Sequence, residues 1–369
     1  MKQAVMRHRF HALCPYFAMF PESFVETWID RLTKPGDLVL DPFCGRGTTP
    51  FQALLMGRKA VASDINPVAY CVTKAKTNAP SERALMRRIT FLENRYSPES
   101  WEQQRLKLPE FFQCAYSPAT LRQILYLRAS LAWAELKTDC MIAALVLGSL
   151  HGETLKSGSY FSNQMPHTIS TKPQYSIRFW KERNLRPPER DAFELLRQRA
   201  AYRYESPCPQ ADATVFMSDF RELPKFLIRQ SYRPRCIITS PPYFDVTNVE
   251  EDQWLRLWFL GGPPGLKKGN RSGDYRHATR TAFWDFISDM WRSLSRVAGE
   301  KTDVVIRLGG KSLDPSEIVQ GLQATSVFTR RKVSLLHHEV SVLKNRQTNA
   351  FRPGSKGLAF EVDCHFLMK

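Results

Sequence analysis

The stretch Leu38-Val39-Leu40-Asp41-Pro42-Phe43-Cys44-Gly45-Arg46-Gly47-Thr48-Thr49-Pro50 constrains the fold more than any other part of the chain. Three consecutive apolar residues suit a short strand buried on both faces, the kind found inside a parallel sheet. An acid ends that strand. Two glycines one residue apart then allow a turn in which backbone approaches a ligand closely. Thr49 is a good N-cap and Pro50 a good first residue for a following helix, whose free N–H groups favour electron-rich ligands. Strand, glycine turn and helix in that order place a nucleotide-type site at a strand end of a doubly wound α/β sheet. No Lys-Ser or Lys-Thr pair follows Gly47, so a phosphate-cradling P-loop is excluded. Taken alone, a tight turn with no ligand is an equal reading.

The flanking pattern extends the sheet. Residues 22–32 have helical spacing, with Phe24, Trp28, Ile29 and Leu32 on one face. Lys34-Pro35-Gly36-Asp37 reads as a turn. A strand over 59–63 closes on Asp64, about 20 residues beyond the glycine turn, where such folds grip a ribose hydroxyl pair. Further strands are expected at 214–217, before Asp219, at 236–239, before Ser240-Pro241-Pro242-Tyr243, and at 303–307 after a helix over 283–297. Residues 332–336, 340–344 and 358–367 read as the final strands. Between 80 and 212 the pattern turns helical, most clearly over 120–136 and 140–150. Three parts are expected: 1–79 and 213–369 form one α/β core, and 80–212 is a mainly helical insertion.

Composition narrows the function classes. With 43% hydrophobic and 24% charged residues, the 369-residue chain is globular in type rather than disordered or fibrous. Its best apolar run, residues 141–150, is half the length of a bilayer span, so no membrane role is expected. Residues 1–10 carry Lys2, Arg7 and Arg9 with no apolar run behind them, unlike a signal peptide. Eight cysteines without a Cys-x-x-Cys pair read as reduced thiols of a cytoplasmic protein with no metal site. His337-His338 has no ligand cluster beside it and reads as structural. The 53 basic against 36 acidic residues give a net charge of +17, which favours a polyanion, with nucleic acid the usual partner. A solvated basic surface is the alternative.

A second motif carries chemistry. In Thr239-Ser240-Pro241-Pro242-Tyr243 two prolines remove N–H donors and stiffen the backbone. The carbonyls of Ser240 and Pro241 can then face outward at a strand end and accept hydrogen bonds from an NH₂ group. Tyr243 offers a flat face to a ring. The alternative is a proline turn with a core tyrosine.

Together the motifs closely resemble one family, the S-adenosylmethionine-dependent amino-methyltransferases of DNA bases. Asp41 to Thr49 is similar to its cofactor motif and Ser240 to Tyr243 to its catalytic motif. Residues 11–21, His-Ala-Leu-Cys-Pro-Tyr-Phe-Ala-Met-Phe-Pro, resemble the stretch that precedes the cofactor motif. The resemblance implies a Rossmann-like class I methyltransferase sheet. It implies that Asp41, Phe43, Gly45 and Gly47, with Thr48, hold the methionine part of S-adenosylmethionine. Asp64 would bind the ribose and Ile65 the adenine, Asp219 and Phe220 would flank the adenine ring, and Phe20 and Pro21 would close over the methionine end. Cys44 lacks the Pro-Cys context of ring-carbon methylation and reads as packing.

The implied chemistry starts from a poor nucleophile, an exocyclic amine conjugated into its ring. Ser240 Oγ and the Pro241 carbonyl accept its two protons and free the lone pair for in-line attack on a sulfonium methyl. The base leaves the duplex to reach them and stacks on Tyr243. Ser before Pro-Pro-Tyr resembles enzymes of the cytosine N4 amine, where Asp or Asn resembles those of adenine N6. An adenine enzyme, an RNA methyltransferase and a DNA-binding module with a vestigial cofactor site stay open. The partner implied is double-stranded DNA, with a cognate restriction endonuclease or other defence-system proteins alongside.

The insertion is the candidate reader of DNA. Asn163 and Gln164 offer side chains for base edges or phosphates. Lys172, Arg178 and Lys181 follow, with Tyr175 and Trp180 interleaved. Lys267, Lys268 and Arg271 lie in a second basic, glycine-rich loop. The alternative puts Tyr175, Phe179 and Trp180 in the core and leaves the cations as a solvated face.

Overall fold

The computed structural model describes residues 7–16, 20–152, 158–164, 172–244, 249–266, 279–343 and 358–369. In chain order its elements are α1 (Glu22–Leu32), β1 (Leu38–Asp41), α2 (Thr48–Leu55), β2 (Lys59–Asp64), α3 (Pro67–Thr77), α4 (Glu82–Asn94), α5 (Glu99–Leu106), α6 (Glu110–Ala115), α7 (Pro118–Ser130) and α8 (Lys137–Leu147). There follow α9 (Pro173–Glu182), α10 (Ala192–Tyr204), β3 (Thr214–Met217), α11 (Leu223–Arg229), β4 (Cys236–Thr239), α12 (Val249–Phe259), α13 (Arg280–Val297), β5 (Thr302–Leu308), α14 (Pro315–Ser326), β6 (Val333–Val342) and β7 (Phe360–Met368). They fall into two compact units. One comprises Met1–Phe17, Lys74–Cys208 and Val249–Gly269, the other Ala18–Thr73, Pro209–Asn248 and Asn270–Lys369. The helical unit thus draws in residues on both sides of 80–212, including α12.

The second unit is the Rossmann-like α/β body. Its strands form one seven-stranded sheet in the order β3-β2-β1-β4-β5-β7-β6. The first five are parallel, and β7 lies antiparallel between β5 and β6. Each central strand sends alternate residues to opposite faces, as the two-residue pleat requires. Leu40, Val61, Ile237, Val304 and Ile306 meet Phe283, Phe286, Ile287, Met290 and Trp291 of α13 on one side. Val39, Ala60, Cys236, Ile238 and Val305 meet Val25, Trp28 and Ile29 of α1 and Ala53 and Leu54 of α2 on the other. The all-apolar reading of 38–40 follows from this covering of both faces.

Three sequence expectations shift. The helix after the glycine turn starts at Thr48 with Gly47 as its N-cap, because Gly47 takes φ +71° and ends the turn one residue early. The helix expected over 120–136 is α7, which runs from Pro118, capped by the Ser117 side chain, to Ser130. Residues 332–336 and 340–344 are not two strands. They form one edge strand, β6, with a register irregularity between Leu335 and His337 that bridges the polar middle.

The first unit is helical. Its α8 is buried over Asp139–Leu147, as its all-round apolar sequence suggests. The one acid there, Asp139, is held by a bidentate pair from Arg88 at 2.7 and 2.9 Å. Phe112 packs on Trp258 with ring centroids 4.4 Å apart, and Phe111 on Trp254 at 5.0 Å, which seats α12 against α6. All eight cysteines are free thiols. Among the described residues no helix is long and apolar enough to cross a membrane, and no group of three or more His, Cys, Asp or Glu could hold a metal.

Candidate active site

A parallel sheet reverses its winding where successive strands depart to opposite sides. Here that point lies between β1, which leads out to β2 and β3, and β4, which leads out to β5. Ligands of such sheets bind at the carboxyl ends of these two strands. Asp41 ends β1 and Ser240 follows the end of β4. The two motifs therefore share one edge of the sheet. Leu40 is paired with Ile237, and Thr239 Oγ1 donates to Asp41 Oδ1 at 2.7 Å across 198 positions of sequence. Thr49 Oγ1 donates to the Ile238 carbonyl at 3.3 Å and ties α2 to the same strand.

The cofactor turn is tightly specified. Gly45 sits at φ +51° and Gly47 at φ +71°, in the left-handed region. A Cβ on Gly47 would lie 2.5 Å from Thr73 Oγ1, which itself donates to the Gly45 carbonyl at 3.0 Å. Gly47 N–H donates to Cys44 O at 2.6 Å, and Cys44 N–H to Ser63 O at 3.0 Å, so the turn is pinned to the end of β2. Cys44 is buried there, in keeping with a packing role. Asp64 Oδ2 accepts from Gly45 N–H and Oδ1 from Asn66 N–H, both at 2.9 Å.

Asp41 is the most perturbed group of the turn. It is 1% exposed, and its Oδ1 also accepts from Phe43 N–H at 3.1 Å. Oδ2 is buried and finds no hydrogen-bond partner among the described residues. Burial, opposed by the threonine hydroxyls and the Phe43 N–H and reinforced by the charge of Asp64, pushes its pKa up to about 7.

The remaining cofactor candidates are placed as follows. Phe20 is buried against Phe24 with centroids 5.2 Å apart, and Pro21 caps α1. Thr48 is buried, Phe43 is half-buried, and Ile65 stands 68% exposed. Phe220 is buried between Phe43 and Phe286, at 4.9 and 5.2 Å, and the Arg221 guanidinium lies over its ring. Asp219 accepts from Arg221 N–H at 2.8 Å.

At the catalytic motif the serine is half-buried and the tyrosine is 5% exposed. The Tyr243 ring packs in the core, where a Cβ on Gly309 would come 3.0 Å from it. Its hydroxyl accepts from Ser240 Oγ at 3.2 Å and donates to Glu361 Oε1 at 2.9 Å. Sequence reasoning did not single out Glu361, nor its neighbour Arg307. A charged pair inside strands that otherwise read as core was the only local signal.

Of the DNA-reading candidates, Asn163 is buried. Its side-chain amide donates to Cys114 O and Leu185 O, both at 3.2 Å. The Gln164 carbonyl accepts from Trp180 Nε1 at 3.1 Å. Trp180 is core, while Tyr175 is exposed on the same helix. Arg178 and Lys181 are exposed on α9, Lys181 paired with Glu110, and Lys172 is exposed at its N-cap. Lys267, Lys268 and Arg271 lie outside the described residues.

Comparison with known proteins finds matches over part of the chain. Residues 4–74, which contain the cofactor turn and both strands that flank it, match the family model described as DNA methylase. Over this segment the chain is similar to the DNA methylase family. Type II methyltransferase M.MjaII of Methanocaldococcus jannaschii is 35% identical over 66 residues, 18% of this chain and 12% of that protein. Orphan methyltransferase M.BamHII of Bacillus amyloliquefaciens is 43% identical over 54 residues, 15% of this chain and 20% of that one. The matches thus span a fifth or less of these relatives' lengths. Among solved structures, TrmN from Thermus thermophilus aligns over 98% of this chain and 52% of its own at 11% identity and a TM-score of 0.38. The matched residues run through α2 and β2 into α3.

Proposed function

We propose that the protein transfers a methyl group from S-adenosylmethionine to the exocyclic amine of a flipped DNA base, N4 of cytosine in the first instance. The observation that carries this is the 2.7 Å bond between Thr239 and Asp41, which holds the acceptor motif against the methylase turn. The turn suits such a cofactor. Asp41 offers a buried carboxylate oxygen with no partner among the described residues, matched to an ammonium group. The left-handed glycines open the space beside it, and the half-buried Asp64 stands at the next strand end for ribose hydroxyls. When bound, the cofactor supplies an electrophilic methyl on a sulfonium.

The chain's own part is positioning. Ser240 Oγ gives its proton to Tyr243, so its lone pairs are turned away from that bond and can accept from an amine. The Pro241 carbonyl is the second acceptor, on a backbone that two prolines keep stiff. Together they favour the amine geometry in which the nitrogen lone pair is released from the ring. Tyr243 acts here through its hydroxyl, because its ring is packed in the core.

The net charge of +17 and the exposed cations of α9 support DNA as the substrate, held through its phosphates. The test is to incubate the purified protein with duplex DNA and methyl-labelled cofactor, then digest to nucleosides. Label in N4-methyl-2′-deoxycytidine is expected. Label in the adenine nucleoside would reassign the base, label only on RNA would reassign the substrate, and no label at all would overturn the reading.

A further inference from the structure

Behind the serine and tyrosine lies a buried charge cluster that the proposed chemistry has not yet used. Arg307 of β5 grips Asp363 of β7 in a two-point pair, Nε to Oδ1 at 2.6 Å and Nη2 to Oδ2 at 2.7 Å. Its Nη1 also reaches Glu361 Oε2 at 3.4 Å, and its plane rests 3.8 Å from the Phe24 ring centroid. The three charged side chains are 8 to 13% exposed. Among the described residues, two acids facing one base leave a surplus negative charge. With Asp363 taking the bidentate bond, that surplus is Glu361's, and Glu361 points at Tyr243. Burying a carboxylate that shares its cation with another acid is costly, and perturbed groups of this kind cluster at functional sites.

Resting on the proposed amine methylation, we infer that Glu361 is a positioning residue that drives a proton chain from Ser240 through Tyr243. A carboxylate can only accept, so the Tyr243 proton must go to Glu361. The tyrosine oxygen then accepts from Ser240, and the serine oxygen is left rich in electron density and turned to the amine. The chain also has a destination for the surplus proton. As the nitrogen–carbon bond forms, the carbon–sulfur bond breaks and its electron pair stays on sulfur. The nitrogen now carries one proton too many. That proton passes to Ser240 Oγ as the serine proton moves to Tyr243 and the tyrosine proton to Glu361. Glu361, still 13% exposed, returns it to water. A neutral serine is thereby made to serve as a strong acceptor by a carboxylate two hydrogen bonds away.

The test compares turnover and binding in the full chain. Glu361→Gln keeps the shape and removes the charge. It should lower kcat about ten- to hundredfold while the KM for cofactor and the affinity for DNA stay within about twofold. Glu361→Asp should recover part of the loss, which a merely structural role would not give. In a Ser240→Ala background Glu361→Gln should cost nothing further, since the chain is already cut. Turnover of Glu361→Gln equal to wild type, or a further loss in the Ser240→Ala background, would overturn the inference while leaving the methyltransferase reading intact. An inactive wild-type protein would overturn both. Should Glu361→Gln not fold, Tyr243→Phe breaks the same chain and keeps the ring. It should show the same selective kcat loss, and unchanged turnover there would equally overturn the inference.

Discussion

Gly47 and Asp41 show how single residues set the terms of the cofactor turn. At Gly47 a methyl group would meet Thr73 Oγ1 at 2.5 Å, and φ +71° is strained for any L side chain. Thr73 is buried, so the clash has nowhere to go. Gly47→Ala is expected to destabilise the fold by about 1–3 kcal/mol and to weaken cofactor binding, both read by thermal melts with and without cofactor. At Asp41 burial lifts the folded pKa from 3.8 to about 7. The sign follows from linkage: the folded state binds the proton more tightly than the unfolded chain. The contribution of Asp41 to stability is complete below 3.8 and is lost as pH rises through about 7. Asp41→Asn removes that loss. The stability of the variant relative to wild type should therefore increase with pH across this window. A difference that stays flat in cofactor-free melts would contradict the assignment.

At the scale of elements, α9 separates two groups that look alike in sequence. Ser176, Ile177 and Trp180 fill its buried face, while Tyr175, Arg178 and Lys181 stand outside. Asn163, which sequence chemistry places with the DNA contacts, spends both amide bonds on backbone carbonyls of its own unit. Asn163→Ala should accordingly lower stability by about 1–3 kcal/mol, because two part-buried hydrogen bonds are lost. Replacing Arg178 and Lys181 by Ala should leave the melting temperature nearly unchanged, weaken DNA binding, and reduce the slope of log affinity against log salt by about 2. An unaltered salt slope would remove α9 from the DNA surface. The edge strand β6 teaches a related lesson. Its polar centre, His337-His338-Glu339, reads as a break, yet the strand runs through because its outer side faces no other strand and the residues need no core.

At the scale of the whole molecule, the seven-strand order explains why motifs so distant in the chain meet. Residues from the start of the chain form β1 and β2, the helical unit intervenes, and β3, β4 and β5 return to complete the parallel sheet. The positive charge belongs to this scale as well, since +17 summed over the chain says what class of partner is favoured but not which face meets it.

The local elements were legible because their signals are local. The strands β1, β3 and β4 show as short apolar runs, α1 as a 3.6-residue stripe, and the turn after β1 as its glycines, all within a few residues. The sequence by itself therefore determined a parallel α/β sheet, a strand-end turn able to approach a ligand, and an acceptor motif free of N–H donors. Only the tertiary structure decided what stands beside what. The Thr239–Asp41 bond spans 198 positions and the Tyr243–Glu361 bond 118, and strand adjacency of that kind is chosen by packing over the whole sheet. It also decided that the Tyr243 ring is core and that Glu361 shares Arg307 with Asp363, because burial and pairing are properties of neighbours and not of residue type.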